Sequence, residues 1–215
     1  FFQVGWSHGR EIFAGKPDLA KGSFYANPVV DDLAQLRNVT PEVARENPAF
    51  FARNVWPKSM PELEPALKDL GQLVVDVGRL LAVPCDTYVK SRCPGYNADK
   101  LASVLTKSMF HKGRLLHYFS RGGSKTSHTD SSKIDSWCGW HNDNSSLTGL
   151  VAGMYLDSSG LQVPCSDAGL YIQSRNGDIF HVELPPNSLG FQIGETAQVH
   201  TGGILQATPH ATTAS

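Results

Sequence analysis

Two side chains able to bind a metal stand two residues apart in Gly139-Trp140-His141-Asn142-Asp143-Asn144-Ser145-Ser146-Leu147-Thr148-Gly149-Leu150, and an apolar run begins at Leu147. On an extended chain, residues i and i+2 point to the same side. An H-x-D at a strand end therefore offers imidazole and carboxylate to one ion. Neither donor is sulfur. With a second imidazole they make a 2-His-1-carboxylate face, which leaves open positions and suits non-haem Fe(II). The motif alone is weak, because the same residues serve a solvated loop histidine and an Asx turn. The third ligand must come from elsewhere. His200 and His210 are the candidates; His200 lies closer in sequence and could occupy a strand. His8, His111, His117, His128 and His181 read as surface or structural residues, with His181 a satisfied polar group in a strand.

These ligands need a rigid frame. From residue 113 onward, short apolar runs alternate with turn clusters. The expected strands are 114–119, 147–156, 169–174, 179–184, 189–193 and 204–208. Asn176-Gly177 is the strongest hairpin signal. Several short strands at roughly 10-residue spacing predict a β-sandwich, jelly roll or barrel. Before residue 113 the texture is helical and turn-rich. Thr40-Pro41 predicts a helix start, with Thr40 as N-cap and Pro41 as first residue. The best helix is 61–83, with Leu63, Leu67, Leu70, Val74, Val77 and Leu81 on one face. Pro84 is expected to end it. A further helix is expected over 97–109. The polar stretch Ser120–Ser136 reads as a loop, either a lid or simply mobile.

Composition bounds the rest. The chain has 215 residues, 40% hydrophobic and 18% charged, with a formal net charge of -1. That length supports one sizeable core with roughly 70% of the unfolded surface buried. The expected organisation is a single domain over 1–215, with a helical support region over 1–112 and a β core over 113–215. The charge balance argues against nucleic acid as a partner, and no apolar run suits a membrane span. Cys85, Cys93, Cys138 and Cys165 form no C-x-x-C pair. They favour free thiols in a reducing compartment, with cytoplasmic location expected.

The segment WHNDNSSLTGL resembles the H-T-D-x-G-x-L-T-L-L pattern of the isopenicillin N synthase-like dioxygenases. Most of these depend on Fe(II) and 2-oxoglutarate. Downstream, Gly169-Leu170-Tyr171-Ile172, Phe180-His181-Val182, Gln192-Ile193-Gly194-Glu195 and Gly202-Gly203 stand where that family has its G-L-Q-V, W-x-x-V, V-x-I-G-D and N-G elements. In this frame His210 is the distal histidine, and His200 falls outside it. Upstream, Arg114-Leu115-Leu116-His117-Tyr118-Phe119 resembles the strand ending in Tyr-Tyr-Pro, with Tyr118 at the 2-oxoglutarate-contacting tyrosine. Gly22 to Pro28 and Asn54-Val55-Trp56-Pro57 look like the family's helical N-terminal region. W-C-G-W-H before the aspartate looks closest to a plant and algal branch.

The resemblance implies a double-stranded β-helix (jelly roll) core behind a helical N-terminal region. It implies an Fe(II) centre of His141, Asp143 and His210, with 2-oxoglutarate and O2 consumed to oxidise a small organic substrate, in a monomer. Trp137, Trp140 and Tyr155 are candidate apolar walls, and Asn144 and Ser146 candidate hydrogen-bond partners of the ligands. Two features depart from the pattern. The family's Arg-x-Ser or Arg-x-Thr, which grips the distal carboxylate of 2-oxoglutarate, has no counterpart after His210, where Ala211-Thr212-Thr213-Ala214-Ser215 follow. The expectation is a C-terminal truncation or a different hold on the cosubstrate. Leu116 replaces an often polar residue, and Arg114 and Lys112 are the cations nearby, expected as solvated strand-end charges. Two other classes stay open. One is a zinc hydrolase on the same triad, for which Glu195 is the only distant general base. The other is an oxygenase-derived binding module that does not turn over.

Overall fold

The computed structural model describes residues 4–10, 12–13, 15–120, 136–164 and 168–213. The Ser120–Ser136 loop falls almost wholly outside them, as do His128 and Cys165. The chain forms two compact units, one of Phe1–Val77 with Thr106–Phe119, the other of Gly78–Leu105 with Ser120–Ser215.

The first unit holds strands β1 (Gly5–His8), β2 (Ile12–Phe13), β3 (Lys16–Pro17) and β4 (Lys21–Ala26), helix α1 (Pro41–Glu46), the start of α2 (Leu63–Arg92), and β5 (Gly113–Tyr118). Residues 22–26 are a strand, where sequence resemblance pointed to a helical region. β4 lies between β1 and β5 in an antiparallel sheet, and every one of its residues is buried. Lys21 tolerates that burial through a 2.7 Å ion pair with Asp18. Asn27 and Asn54 exchange hydrogen bonds through backbone and side chain, at 2.9 and 2.8 Å. Asp31 accepts from Asn54, Trp56 and Lys68. The Asn-Pro and Asn-x-Trp-Pro signals thus mark a polar hub rather than helix. The Thr40 N-cap holds: its hydroxyl accepts from the Val43 amide.

The second unit holds the rest of α2, then α3 (Lys100–Lys107), β6 (Ser136–His141), β7 (Leu147–Val151), β8 (Gly169–Gln173), β9 (Ile179–Val182), β10 (Leu189–Ile193), α4 (Glu195–His200) and β11 (His210–Thr213). Its strands make a four-stranded antiparallel sheet, β6-β11-β8-β9, and an antiparallel pair, β10-β7. Ala82, Leu101 and Ala197 form a buried nucleus joined by Cys85, Leu105, Ile193 and Leu205, so α2, α3 and α4 pack together behind β10. Among the described residues, no helix is long and apolar enough to cross a membrane, and Cys85 and Cys93 are free thiols.

Two expectations fail for clear reasons. Pro84 does not end α2, which runs on to Arg92. A proline removes the bond to the carbonyl four residues back, here that of Leu80, a residue 72% exposed where water can serve the carbonyl. Two residues on, Asp86 is 1% exposed and accepts from Tyr96 Oη and from the Leu101 and Ala102 amides at the start of α3. That anchor rewards continuing the helix. Residues 204–208 are not a strand. Gly202 and Gly203 turn the chain at positive φ, and its amides go instead to Thr201 Oγ1, Gln198 Oε1 and the Ile193 carbonyl. The 147–156 expectation shortens to β7. The β8–β9 hairpin forms around Gly177 as expected, closed by Ser174 and Asp178.

Candidate metal centre

His141 is the last residue of β6, and β11 begins at His210. The two are directly opposed in the β6–β11 ladder, so their side chains share one face. Asp143 follows two residues after His141, as the extended H-x-D geometry requires. The three side chains converge, with one ligand atom from each lying within 4.8 Å of the others. Asp143 Oδ1 is 3.9 Å from His141 Nε2 and 3.8 Å from His210 Nε2. His200 is not among them; it closes α4 rather than occupying a strand.

The tautomers follow from the hydrogen bonds. His141 Nδ1 donates to the Gly139 carbonyl at 2.7 Å, and His210 Nδ1 donates to the Thr208 carbonyl at 2.9 Å. A carbonyl can only accept, so each Nδ1 carries a proton, and in the neutral form of each ring Nε2 is the nitrogen left to bind a metal. This is the outer-partner arrangement that orients metal-binding histidines.

Asp143 is held from the other side. Burial opposes its charge, but hydrogen bonds from Thr148 and Gln192, then the two imidazoles, more than offset it and lower the carboxyl below its usual value. Thr148 Oγ1 donates to Oδ2 at 2.6 Å, and Gln192 Nε2 donates to the same oxygen at 2.8 Å. Gln192 Nε2 also lies 3.1 Å from His210 Nε2. His141 is shifted the other way, up to about 9, first by the Cys138 sulfur 3.7 Å from Nδ1; burial opposes this, and the Gly139 carbonyl and Asp143 add to it.

The outer partners are therefore Thr148 and Gln192, not Asn144 and Ser146. Asn144 and Ser146 use their backbone carbonyls to accept from Thr196 Oγ1 and the Gly194 amide. The missed signal was a lone polar residue inside an apolar strand, Thr148 in LTGLV and Gln192 in LGFQI. A buried polar side chain needs a partner. Gly194 packs the frame: a Cβ there would meet the carbonyl of Ser145. Glu195 begins α4, with its amide on the Asp143 carbonyl at 2.7 Å and its carboxylate accepting from Asn142 at 3.3 Å. Tyr155 donates to the Ala168 carbonyl, a structural role, and His181 stacks on Tyr171. Tyr118 ends β5 in the first unit, opposite Lys21, and Arg114 of the same strand donates to Ser23.

The donor set suits an ion. Two ligand atoms each about 2.1 Å from a metal, at right angles, stand about 3 Å apart, so a closure of under about an ångström would bring Asp143 Oδ1 to that spacing from each imidazole. Two neutral nitrogens and one carboxylate oxygen match a borderline divalent metal with positions left open.

No family model matches the sequence, and no curated protein matches it. Solved structures do match in fold. A protein classed as an oxygenase from Shewanella oneidensis is 14% identical with a TM-score of 0.59, over 98% of this chain and 60% of its own. One assigned to the 2OG-Fe(II) oxygenase family, from Caulobacter crescentus, is 21% identical with a TM-score of 0.60, over 98% of this chain and 57% of its own. JOX2, solved in complex with 2OG, Fe and JA, is 12% identical with a TM-score of 0.63, over 99% of this chain and 51% of its own. The chain thus spans between half and three-fifths of the length of these structures. At such identities the likeness is one of fold.

Proposed function

We propose that this chain carries the metal centre of a non-haem Fe(II)- and 2-oxoglutarate-dependent oxygenase acting on a small organic substrate. The observation that supports this reading best is the convergence of His141 Nε2, His210 Nε2 and Asp143 Oδ1, with both imidazole protons tied to backbone carbonyls. The likeness to folds solved as 2OG-Fe(II) oxygenases supports it further. In this reading residues 1–215 act as one double-stranded β-helix oxygenase domain, in a monomer. His141, Asp143 and His210 hold Fe(II), and Tyr118 contacts 2-oxoglutarate, a role carried by sequence resemblance.

Fe(II) with 2-oxoglutarate supplies oxidation by O2, in which the oxo acid loses CO2 and becomes succinate while the second oxygen atom enters a substrate C–H bond. The chain's own part is preorganisation. The Gly139 and Thr208 carbonyls hold the Nδ1 protons, so each ring is turned with Nε2 toward the centre. Thr148 and Gln192 keep Asp143 ionised and oriented. A zinc hydrolase is the second reading, favoured by the Glu195 carboxylate held on Asn142, between two of the ligands in sequence.

Anaerobic titration with Fe(II) and 2-oxoglutarate tests the choice. A visible charge-transfer band in the wild type, absent in His141→Ala and Asp143→Ala, is expected. Iron uptake without a band would overturn cosubstrate chelation. No metal uptake would overturn the centre itself.

A further inference from the structure

The two oxygens of Asp143 are not equivalent. Oδ2 takes hydrogen bonds from Thr148 Oγ1 at 2.6 Å and Gln192 Nε2 at 2.8 Å. A carboxylate oxygen has about two acceptor sites, so Oδ2 is saturated. Oδ1 is the atom that faces both histidines. The two donors are themselves a pair: Gln192 of β10 and Thr148 of β7 are directly opposed across the ladder, so their side chains rise from one face.

Each donor is oriented. A carboxylate accepts only, so the Thr148 hydroxyl must spend its proton on Asp143 and accept from Ser145 Oγ, 2.8 Å away. The Gln192 amide must likewise turn its nitrogen to the carboxylate. That orientation leaves Oε1 buried with no hydrogen-bond partner, on a residue 8% exposed. A buried orphan acceptor costs stability. The fold bears this cost to keep the amide nitrogen on Oδ2.

We propose that the cross-strand pair Thr148–Gln192 confines Asp143 to a single metal-binding oxygen and so keeps coordination positions open for exogenous ligands. This rests on the metal-centre reading. A carboxylate with both oxygens free can bind one ion through both, which would close a position that an oxygenase needs for cosubstrate and O2. Thr148 and Gln192 are positioning residues that act through Asp143.

Mn(II) alone is the probe, read by water-proton relaxation, which reports exchangeable waters on the bound ion. A three-ligand face on a six-coordinate ion leaves three positions. At saturating Mn(II), Thr148→Val and Gln192→Leu are each expected to lower relaxivity, by about a third if one position closes. Their Mn(II) affinity should fall by roughly 10–100-fold. Thr148→Ser keeps the hydroxyl and should behave as wild type. Thr148→Val exchanges one oxygen for a methyl, so it carries the test if Gln192→Leu fails to fold. Wild-type relaxivity in Thr148→Val at saturation would overturn the proposal while leaving the metal centre intact. No Mn(II) binding by the wild type would overturn the metal-centre reading, and this proposal with it.

Discussion

His141 and His210 face each other across one rung of the β6–β11 ladder, with ring centroids 4.2 Å apart. The sheet register therefore joins ligands that lie far apart in sequence. Any slip of β11 by one residue would turn His210 to the opposite face. The candidate metal-binding face is thus a property of strand pairing.

That pairing sets apart two histidines that spacing alone left in competition and that the family resemblance had separated in favour of His210. His210→Ala should weaken Co(II) binding by more than the roughly 100-fold that an outer partner can cost. His200→Ala, at the end of α4, should change it by less than about threefold on the same scale. Isothermal titration of the two variants checks this. Equal losses would mean that the register seen here does not describe the metal-bound protein.

Proton competition at His141 gives a pH dependence. Its folded value of about 9 lies above its ordinary 6.5. A raised histidine stabilises the fold fully below the unfolded value, and that contribution is lost as pH rises through the folded one. Metal-free protein should therefore lose stability between about pH 6.5 and 9 from this group. Metal binding needs neutral imidazole, so affinity should climb over the same window. Cys138 is the first cause of the shift. Cys138→Ala should bring the His141 titration, followed by NMR, down toward its ordinary value and tighten metal binding at neutral pH. An unmoved titration would assign the shift to the Gly139 carbonyl and Asp143 instead.

Local signals with their own geometry were legible. Thr40-Pro41 set the start of α1, Asn176-Gly177 marked the β8–β9 hairpin, and 189–193 coincides with β10. H-x-D at a strand end was legible because period two is a local property. What stayed hidden depends on tertiary partners. β4 is a strand because two neighbours claim its backbone on both sides. Residues 204–208 look apolar enough for a strand, but α4 takes their amides. Thr148 and Gln192 gain their role only when β7 and β10 pair.

Asp86 shows the same logic in the helical layer, and its removal should be costly. Its carboxylate serves three donors in a fully buried place. Asp86→Ala leaves the first-turn amides of α3 and the Tyr96 hydroxyl unmet, at about 3 kcal/mol for lost bonds to a charged group. Asp86→Asn keeps one acceptor oxygen and should cost about half of that. Urea denaturation measures both. If Asp86→Ala unfolded at the wild-type midpoint, another group must cap α3.

Gly194 tests how tightly the metal-centre loop is built. Its φ of -102° suits any residue, so backbone freedom is not why glycine stands there. Close approach is: an added Cβ would meet the Ser145 carbonyl carbon and oxygen. The Gly194 amide also donates to the Ser146 carbonyl, and the next two amides to Asp143 and Ser145. The turn after β10 thus clamps the loop that carries Asp143. Gly194→Ala must push that loop away, at about 2–3 kcal/mol for an overpacked contact. Because Asp143 moves with the loop, metal affinity should fall along with the denaturation midpoint. Loss of stability with unchanged Co(II) affinity would show that Thr148 and Gln192 hold the carboxylate without help from the backbone clamp.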